Sequence, residues 1–298
     1  MVKNRQFPPV TRLSSEGVWP SFSSDGAELV FSAPIGGHCR RLMLLSLADG
    51  ASPVPITPPD IDATRPAWRW STSLIAFTYG NHSLYTVERD GSNCRPFLSQ
   101  EPDGSLALLH PSWYSDLKSI AVVGMTETPS GRSSIIYKAT TGVDRVRQLE
   151  PLTSFPEVCA GRPCVSPDGD AVVFAGNAGR CSQPANQLWV VTDDQQPRRL
   201  EPGEPASACQ GRSPSWSPDG RWIAFVSTRP APSPSKGSPK AVWVISASGG
   251  EAYQLTDSTY DAANVDWSPD QRRIAFGSAT FGISIFDVPE KFLPGSDR

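Results

Sequence analysis

Arg65, His110, Arg162 and Arg212 each stand one or two residues ahead of a copy of the same short motif, and Trp19 stands ahead of another copy. A guanidinium offers a planar fork of N–H donors that matches a carboxylate or phosphate in bidentate fashion. An imidazole holds or passes a proton near neutral pH, and an exposed indole stacks on a ligand or anchors a peptide. Gathered at one opening, these five side chains would take an acidic peptide, a chain terminus or an anionic small molecule. The same opening would also suit a small-molecule lyase, hydrolase or cyclase, with His110 as acid or base and the arginines clamping an oxyanion or carboxylate. A plainer expectation competes with both: each arginine pairs with a loop carboxylate, for which Asp60, Asp62, Glu157, Glu204 and Asp261 are at hand.

Familiar catalytic and metal signatures are missing. The chain has no Gly-x-Ser-x-Gly elbow, no glycine-rich phosphate loop, no Cys-x-x-Cys and no His-Glu-x-x-His. No catalytic residue is therefore assigned, no metal or cofactor is expected, and the balance leans away from an enzyme. His38 and His82 read as solvated loop histidines. Asp25, Asp116, Asp168, Asp219 and Asp270 recur at one register and read as turn residues. Of the six cysteines, Cys159 and Cys209 sit in similar Cys-Ala-Gly-Arg and Cys-Gln-Gly-Arg contexts, and Cys181 lies in a loop of the same face. A disulfide among these three is geometrically open, but reduced thiols are the expectation for a chain without an export signal.

What positions these residues is a repeat. Its clearest copy runs from Pro214 to Phe225 as PSWSPDGRWIAF, and further copies begin at Pro20, Pro66, Pro111, Pro163 and Val265. Successive starts lie 46, 45, 52, 51 and 51 residues apart, the size of a propeller blade. Within a copy, Ser217-Pro218-Asp219-Gly220 has hairpin-turn chemistry. Trp222–Ser227 reads as a buried strand, Val242–Ile245 as a third and Tyr253–Thr256 as a fourth. Third strands are expected likewise at 42–45, 84–87, 135–138, 188–191 and 283–286. The unit starting near 263 runs out after three strands, and residues 9–13 resemble the missing fourth. The prediction is all-β: a single domain over residues 1–298, with blade units starting near 18, 64, 109, 161, 212 and 263. Each blade has four antiparallel strands, and the N-terminal strand closes the ring in the last one. A seventh blade would need about 343 residues at this period.

Ser217-Pro218-Asp219-Gly220 and its degenerate copies Ser166-Pro167-Asp168-Gly169, Ser268-Pro269-Asp270-Gln271 and Ser23-Ser24-Asp25-Gly26, each followed by an apolar strand, resemble the repeat of the TolB-type six-bladed propellers. The resemblance spans about residues 9–288, without the signal peptide and N-terminal α/β domain of TolB itself. It implies a scaffold used mostly for binding, with partners at one face or at the mouth of the axial channel. That face carries the long loops 102–109, 126–134, 176–186 and 228–240. The reading that follows is a non-catalytic interaction module for a protein or peptide partner, with Arg65, His110, Arg162, Arg212 and Trp19 as its contacts.

Composition narrows the partners. A formal net charge of −3 on 298 residues argues against a nucleic-acid binder, and no apolar run is long enough for a membrane span. Hydrophobic residues make up 38% of the chain, enough for a packed core rather than disorder. The opening Met1-Val2-Lys3-Asn4-Arg5-Gln6 lacks the hydrophobic stretch of a secretory signal, so the expected compartment is the cytoplasm. The periplasm or the exterior is the alternative for a trimmed start. Trp68, Trp113, Trp216 and Trp267, with Phe22 and Val165, share one aligned position and read as packing between blades.

Overall fold

A computed structural model describes residues 7–36, 39–98, 106–128, 131–141, 146–154, 158–178, 187–193, 195–200, 211–228 and 239–295. These residues form six four-stranded antiparallel sheets arranged as a six-bladed β-propeller. The innermost strands are Val18–Phe22, Ala63–Trp68, Ala107–Trp113, Val158–Val165, Arg212–Trp216 and Ala262–Trp267. Each is followed by a strand of nearly unbroken apolar character: Glu28–Pro34, Leu74–Tyr79, Ser119–Thr128, Ala171–Ala178, Trp222–Ser227 and Arg273–Ser278. Such runs suit a strand whose two faces both lie against neighbouring blades. Phe31, Phe77, Phe174, Phe225 and Phe276 recur on these second strands and are fully buried.

The turns between first and second strands have the chemistry that the repeat announces. Ser23, Ser166, Ser217 and Ser268 donate their hydroxyls to Asp25, Asp168, Asp219 and Asp270, and each aspartate accepts the N–H two residues on. These bonds hold the carboxyls below their usual range. One expected loop turns out to be sheet. Ser119–Thr128 and Gly131–Thr141 pair from Ser119↔Thr140 out to Thr128↔Gly131, so 126–134 is mostly a long hairpin.

The ring closes as the chain ends suggest. Val10–Ser14 lies antiparallel to Gly282–Asp287 as the outer strand of the last blade, with Val10 opposite Phe286. The seam then packs without room to spare. A Cβ on Gly277 would lie 2.7 Å from the Val18 Cα and 2.6 Å from Asn264 Oδ1, so only glycine lets the last blade meet the first.

Around the axis the blades are latched by side chains at one repeat position. Ser21 accepts the N–H of Trp68 (3.2 Å), Ser112 that of Val165 (3.0 Å) and Ser215 that of Trp267 (3.0 Å), while the Trp216 indole donates to the Cys164 carbonyl at 3.1 Å. Asp266 accepts the Phe22 N–H at 2.9 Å and joins the last blade to the first. Ala67 cannot serve in this way; at its joint the Trp113 indole donates to the Ala67 carbonyl at 3.1 Å. Cys159 is disulfide-bonded, which corrects the expectation of a reduced thiol there, and Cys181 and Cys209 lie outside the described residues. Cys39, Cys94 and Cys164 are free.

Candidate functional site

Every innermost strand breaks register near its aligned proline or valine: four at the same repeat position, and those of the fourth and sixth blades slightly earlier. Val18 pairs with Ser32 and Ser21 with Val30, so Trp19 and Pro20 stand opposite a single residue, Phe31. Trp19, Arg65, His110 and Ser213 adopt left-handed backbone with φ of 56°, 55°, 53° and 50°. A proline follows each of them, and non-glycine residues there pay strain of about 1–3 kcal/mol apiece. A bulge of this kind re-aims one side chain away from the pleat. Here it recurs in register around the channel.

Four of the five predicted residues come together, Arg65 being stacked on Trp19 and coupled by charge to His110 and Arg162. Arg65, His110 and Arg162 act on one another electrostatically across blades two, three and four. All are partly buried. Burial first, and then the neighbouring Arg162, draw the Arg65 pKa down to about 10. Burial, reinforced by Arg65 and Arg162, holds the His110 imidazole well below its ordinary value, so it is neutral at pH 7. Burial also lowers Arg162, whose electrostatic partner is Asp266 in the layer below.

The hydrogen bonds made by this cluster are few. Arg65 Nη1 donates to Asn81 Oδ1 at 2.8 Å and to Thr64 Oγ1 at 3.2 Å, and the His110 N–H reaches Thr78 Oγ1 at 3.2 Å. Arg65 Nε, His110 Nδ1 and Arg162 Nη1 are shut off from the surface without a partner among the described residues.

Trp19 serves the site differently from the free stacking surface its sequence position suggests. Arg65 and Arg40 lie over its ring at 4.9 and 5.5 Å from the centroid. The indole is a platform that holds the guanidinium groups, and its own N–H backbone bond to Asn264 crosses the seam. Arg212 stands apart. It occupies the position before the bulged Ser213, and its pKa is depressed by burial alone, with neither Arg65 nor Arg162 acting on it. The loop carboxylates do not neutralise the cluster by direct pairing among the described residues. Asp62 accepts the Arg40 N–H at 2.9 Å and pulls on Arg65 only through space, while Asp261 binds Lys240 Nζ at 2.6 Å. Glu157, Glu204 and His38 lie outside the described residues.

One member of the site, Arg40, and one residue in the layer below it, Asp266, escaped the reading of the repeat. Arg40 belongs to a third strand, which carries no aligned mouth position. Asp266 shares the register of Ser21, Ala67, Ser112, Cys164 and Ser215, and a carboxylate among small residues is the signal that would have marked it. Burial pushes its pKa up to about 6, against bonds from the Phe22 N–H and the Ser215 hydroxyl and the charge of Arg162.

The fold is a six-bladed propeller that brings Arg65, His110 and Arg162 within electrostatic reach of one another at one end of its innermost strands. In fold the chain is TolB-like. A TolB-type protein from Agrobacterium tumefaciens superposes with a TM-score of 0.65 at 21% identity, over 93% of this chain and 91% of that one. A gluconolactonase from Xanthomonas campestris gives 0.69 at 12% identity over 95% and 90%. The oligogalacturonate lyase of Vibrio parahaemolyticus gives 0.59 at 15% over 98% and 97%. At these identities the likeness is one of fold. No family profile matches the chain. A stretch of 61 residues is 43% identical to the uncharacterized peptidase YuxL of Bacillus subtilis, which is 20% of this chain and 8% of the peptidase's length. Among the described residues no helix is long and apolar enough to cross a membrane.

Proposed function

We propose that the protein is a binding module whose channel mouth takes a carboxylate carried by an acidic peptide segment or a chain terminus. One observation carries this reading: Arg65 Nε, His110 Nδ1 and Arg162 Nη1 are buried without hydrogen-bond partners in side chains that act on one another electrostatically. Unmade hydrogen bonds of this kind cost about 1–3 kcal/mol each, more for charged groups. An incoming oxyanion would satisfy the donors and relieve the repulsion between Arg65 and Arg162 together. Arg212 would extend the contact outward along the same rim.

The neutral His110 supports a second reading, in which the pocket acts on an anionic small molecule with His110 as base and the arginines as clamp. Its fold neighbours include a lyase of oligogalacturonate and a gluconolactonase. The disulfide at Cys159 favours an oxidising compartment over the cytoplasm.

Calorimetric titration with an aspartate-rich peptide, as free acid and as C-terminal amide, tests the binding reading. Tight binding by the wild type, weakened tenfold or more in an Arg65→Ala, Arg162→Ala double variant that still melts cooperatively, is the expected result. Equal affinity in both proteins would overturn it. Turnover of an oligogalacturonate or a gluconolactone, lost on His110→Ala, would move the assignment to the enzyme.

A further inference from the structure

At the opposite end of the axis from the arginine mouth lies a cavity of about 340 Å³, within the range of small-molecule pockets. Phe22, Trp68, Trp113, Trp216 and Trp267 wall it, one from each of five blades, and Trp70 stands at its rim with 44% of its surface exposed. The four wall tryptophans present ring carbon rather than N–H, because each indole nitrogen donates to a backbone carbonyl: Thr72, Ala67, Cys164 and Gln271. Seven serines and three prolines contribute to the remaining lining. Among the described residues no lysine, arginine, histidine or glutamate lines the cavity, and one carboxylate does, that of Asp266.

Asp266 is fixed before any ligand arrives. Its Oδ2 accepts the Phe22 N–H at 2.9 Å and its Oδ1 the Ser215 hydroxyl at 3.3 Å, so it cannot swing out of the cavity without opening the seam between the last blade and the first. Arg162 acts on it through space from the layer above, and no ion pair joins the two side chains. An aromatic enclosure with a single anchored anion is complementary to one class of small ligand. Indole faces carry negative potential and attract cations, most of all weakly hydrated ones with an apolar body. One of the wall rings already attracts a cation of the protein itself: Arg69 lies over Trp113 at 5.0 Å from its centroid.

We infer that this cavity is a second binding site, distinct from the mouth, for a small organic ammonium, with Asp266 as counter-ion and the tryptophans as its walls. The site stands whether or not the mouth binds an anion, because the two openings share no lining side chain. A ligand here would bridge five blades at the axis, where the latching hydrogen bonds also lie.

Benzyltrimethylammonium and its uncharged isostere neopentylbenzene separate charge from shape. Titrations followed by tryptophan fluorescence, with two-dimensional NMR of the indole N–H signals to place the ligand, are run at neutral pH on the wild type, Asp266→Asn and Trp70→Ala. The expected result is that the wild type prefers the cation at least tenfold, that Asp266→Asn abolishes this preference, and that Trp70→Ala weakens the cation severalfold. Asparagine retains an oxygen for the Phe22 N–H, and Trp70 is exposed, so at least one variant reports on a folded ring. Equal affinity for cation and isostere, signal changes confined to the mouth, or no binding of either probe would overturn the assignment.

Discussion

Replacing Asp266 with asparagine removes a charge that the fold holds at a cost. The carboxyl rises from an ordinary 3.8 to about 6, mainly through burial. A folded-state pKa above the unfolded one means the native protein binds the proton more tightly. Its contribution is therefore present at low pH and lost as the pH rises through about 6. At about 1.36 kcal/mol per pKa unit, the full effect is about 3 kcal/mol, of which about 2 kcal/mol falls between about pH 4.5 and about pH 7.5. His110 works in the opposite sense. Its pKa is held below its ordinary value of 6.5, so stability from that group is lost as the pH falls through the unfolded value. The two slopes offset one another in the wild type. In Asp266→Asn the Asp266 slope is gone, because asparagine keeps the acceptor for Phe22 without a proton to gain, while the slopes of His110 and of the turn aspartates are common to both proteins and cancel in the comparison. Urea unfolding followed by tryptophan fluorescence at both pH values reads the difference. Relative to wild type, the variant should lose about 2 kcal/mol on going from about pH 7.5 to about pH 4.5. A wild-type-minus-variant difference that does not change with pH would refute the placement of Asp266 in a desolvated site.

Gly277→Ala pushes a methyl against the Val18 backbone and Asn264 at the seam. It should lower stability by about 1–3 kcal/mol, visible as a drop in the calorimetric melting temperature. Phe225→Ala, at a fully buried position, should cost about 3–5 kcal/mol, whereas Arg89→Met, which breaks the exposed Arg89–Glu28 pair, should cost less than about 1 kcal/mol. Denaturant midpoints of the two variants check that contrast. The His110 ring signals in an NMR titration should stay neutral well below pH 6.5 and should shift to a higher midpoint when an anion occupies the mouth. An ordinary midpoint, unmoved by anions, would show that the arginines do not crowd the imidazole.

The blade, its four strands and the number of blades were legible in the linear chain because each hairpin is local. Ser217-Pro218-Asp219-Gly220 specifies its own turn, and the apolar strand after it needs no distant partner to be recognised. Even the closing strand could be read, since residues 9–13 repeat a pattern that the last unit lacks. The same register brought Arg65, His110 and Arg162 to one end of the channel. What the repeat could not carry was anything joining residues from different copies. The stack of Arg40 and Arg65 on Trp19, the left-handed backbone at Trp19, Arg65 and His110, and the Asp266 to Phe22 bond across 244 residues of sequence depend on how the blades pack around the axis. Arg212 shows the limit in the other direction. It looked equivalent to its neighbours in sequence, yet one residue of offset places it before the bulge rather than on it, and it stays outside the cluster. Local hydrogen bonding and hydrophobic periodicity decide strands and turns within a few residues. Burial, charge coupling and the shape of both axial openings arise only when all six blades converge, so tertiary structure alone determines them.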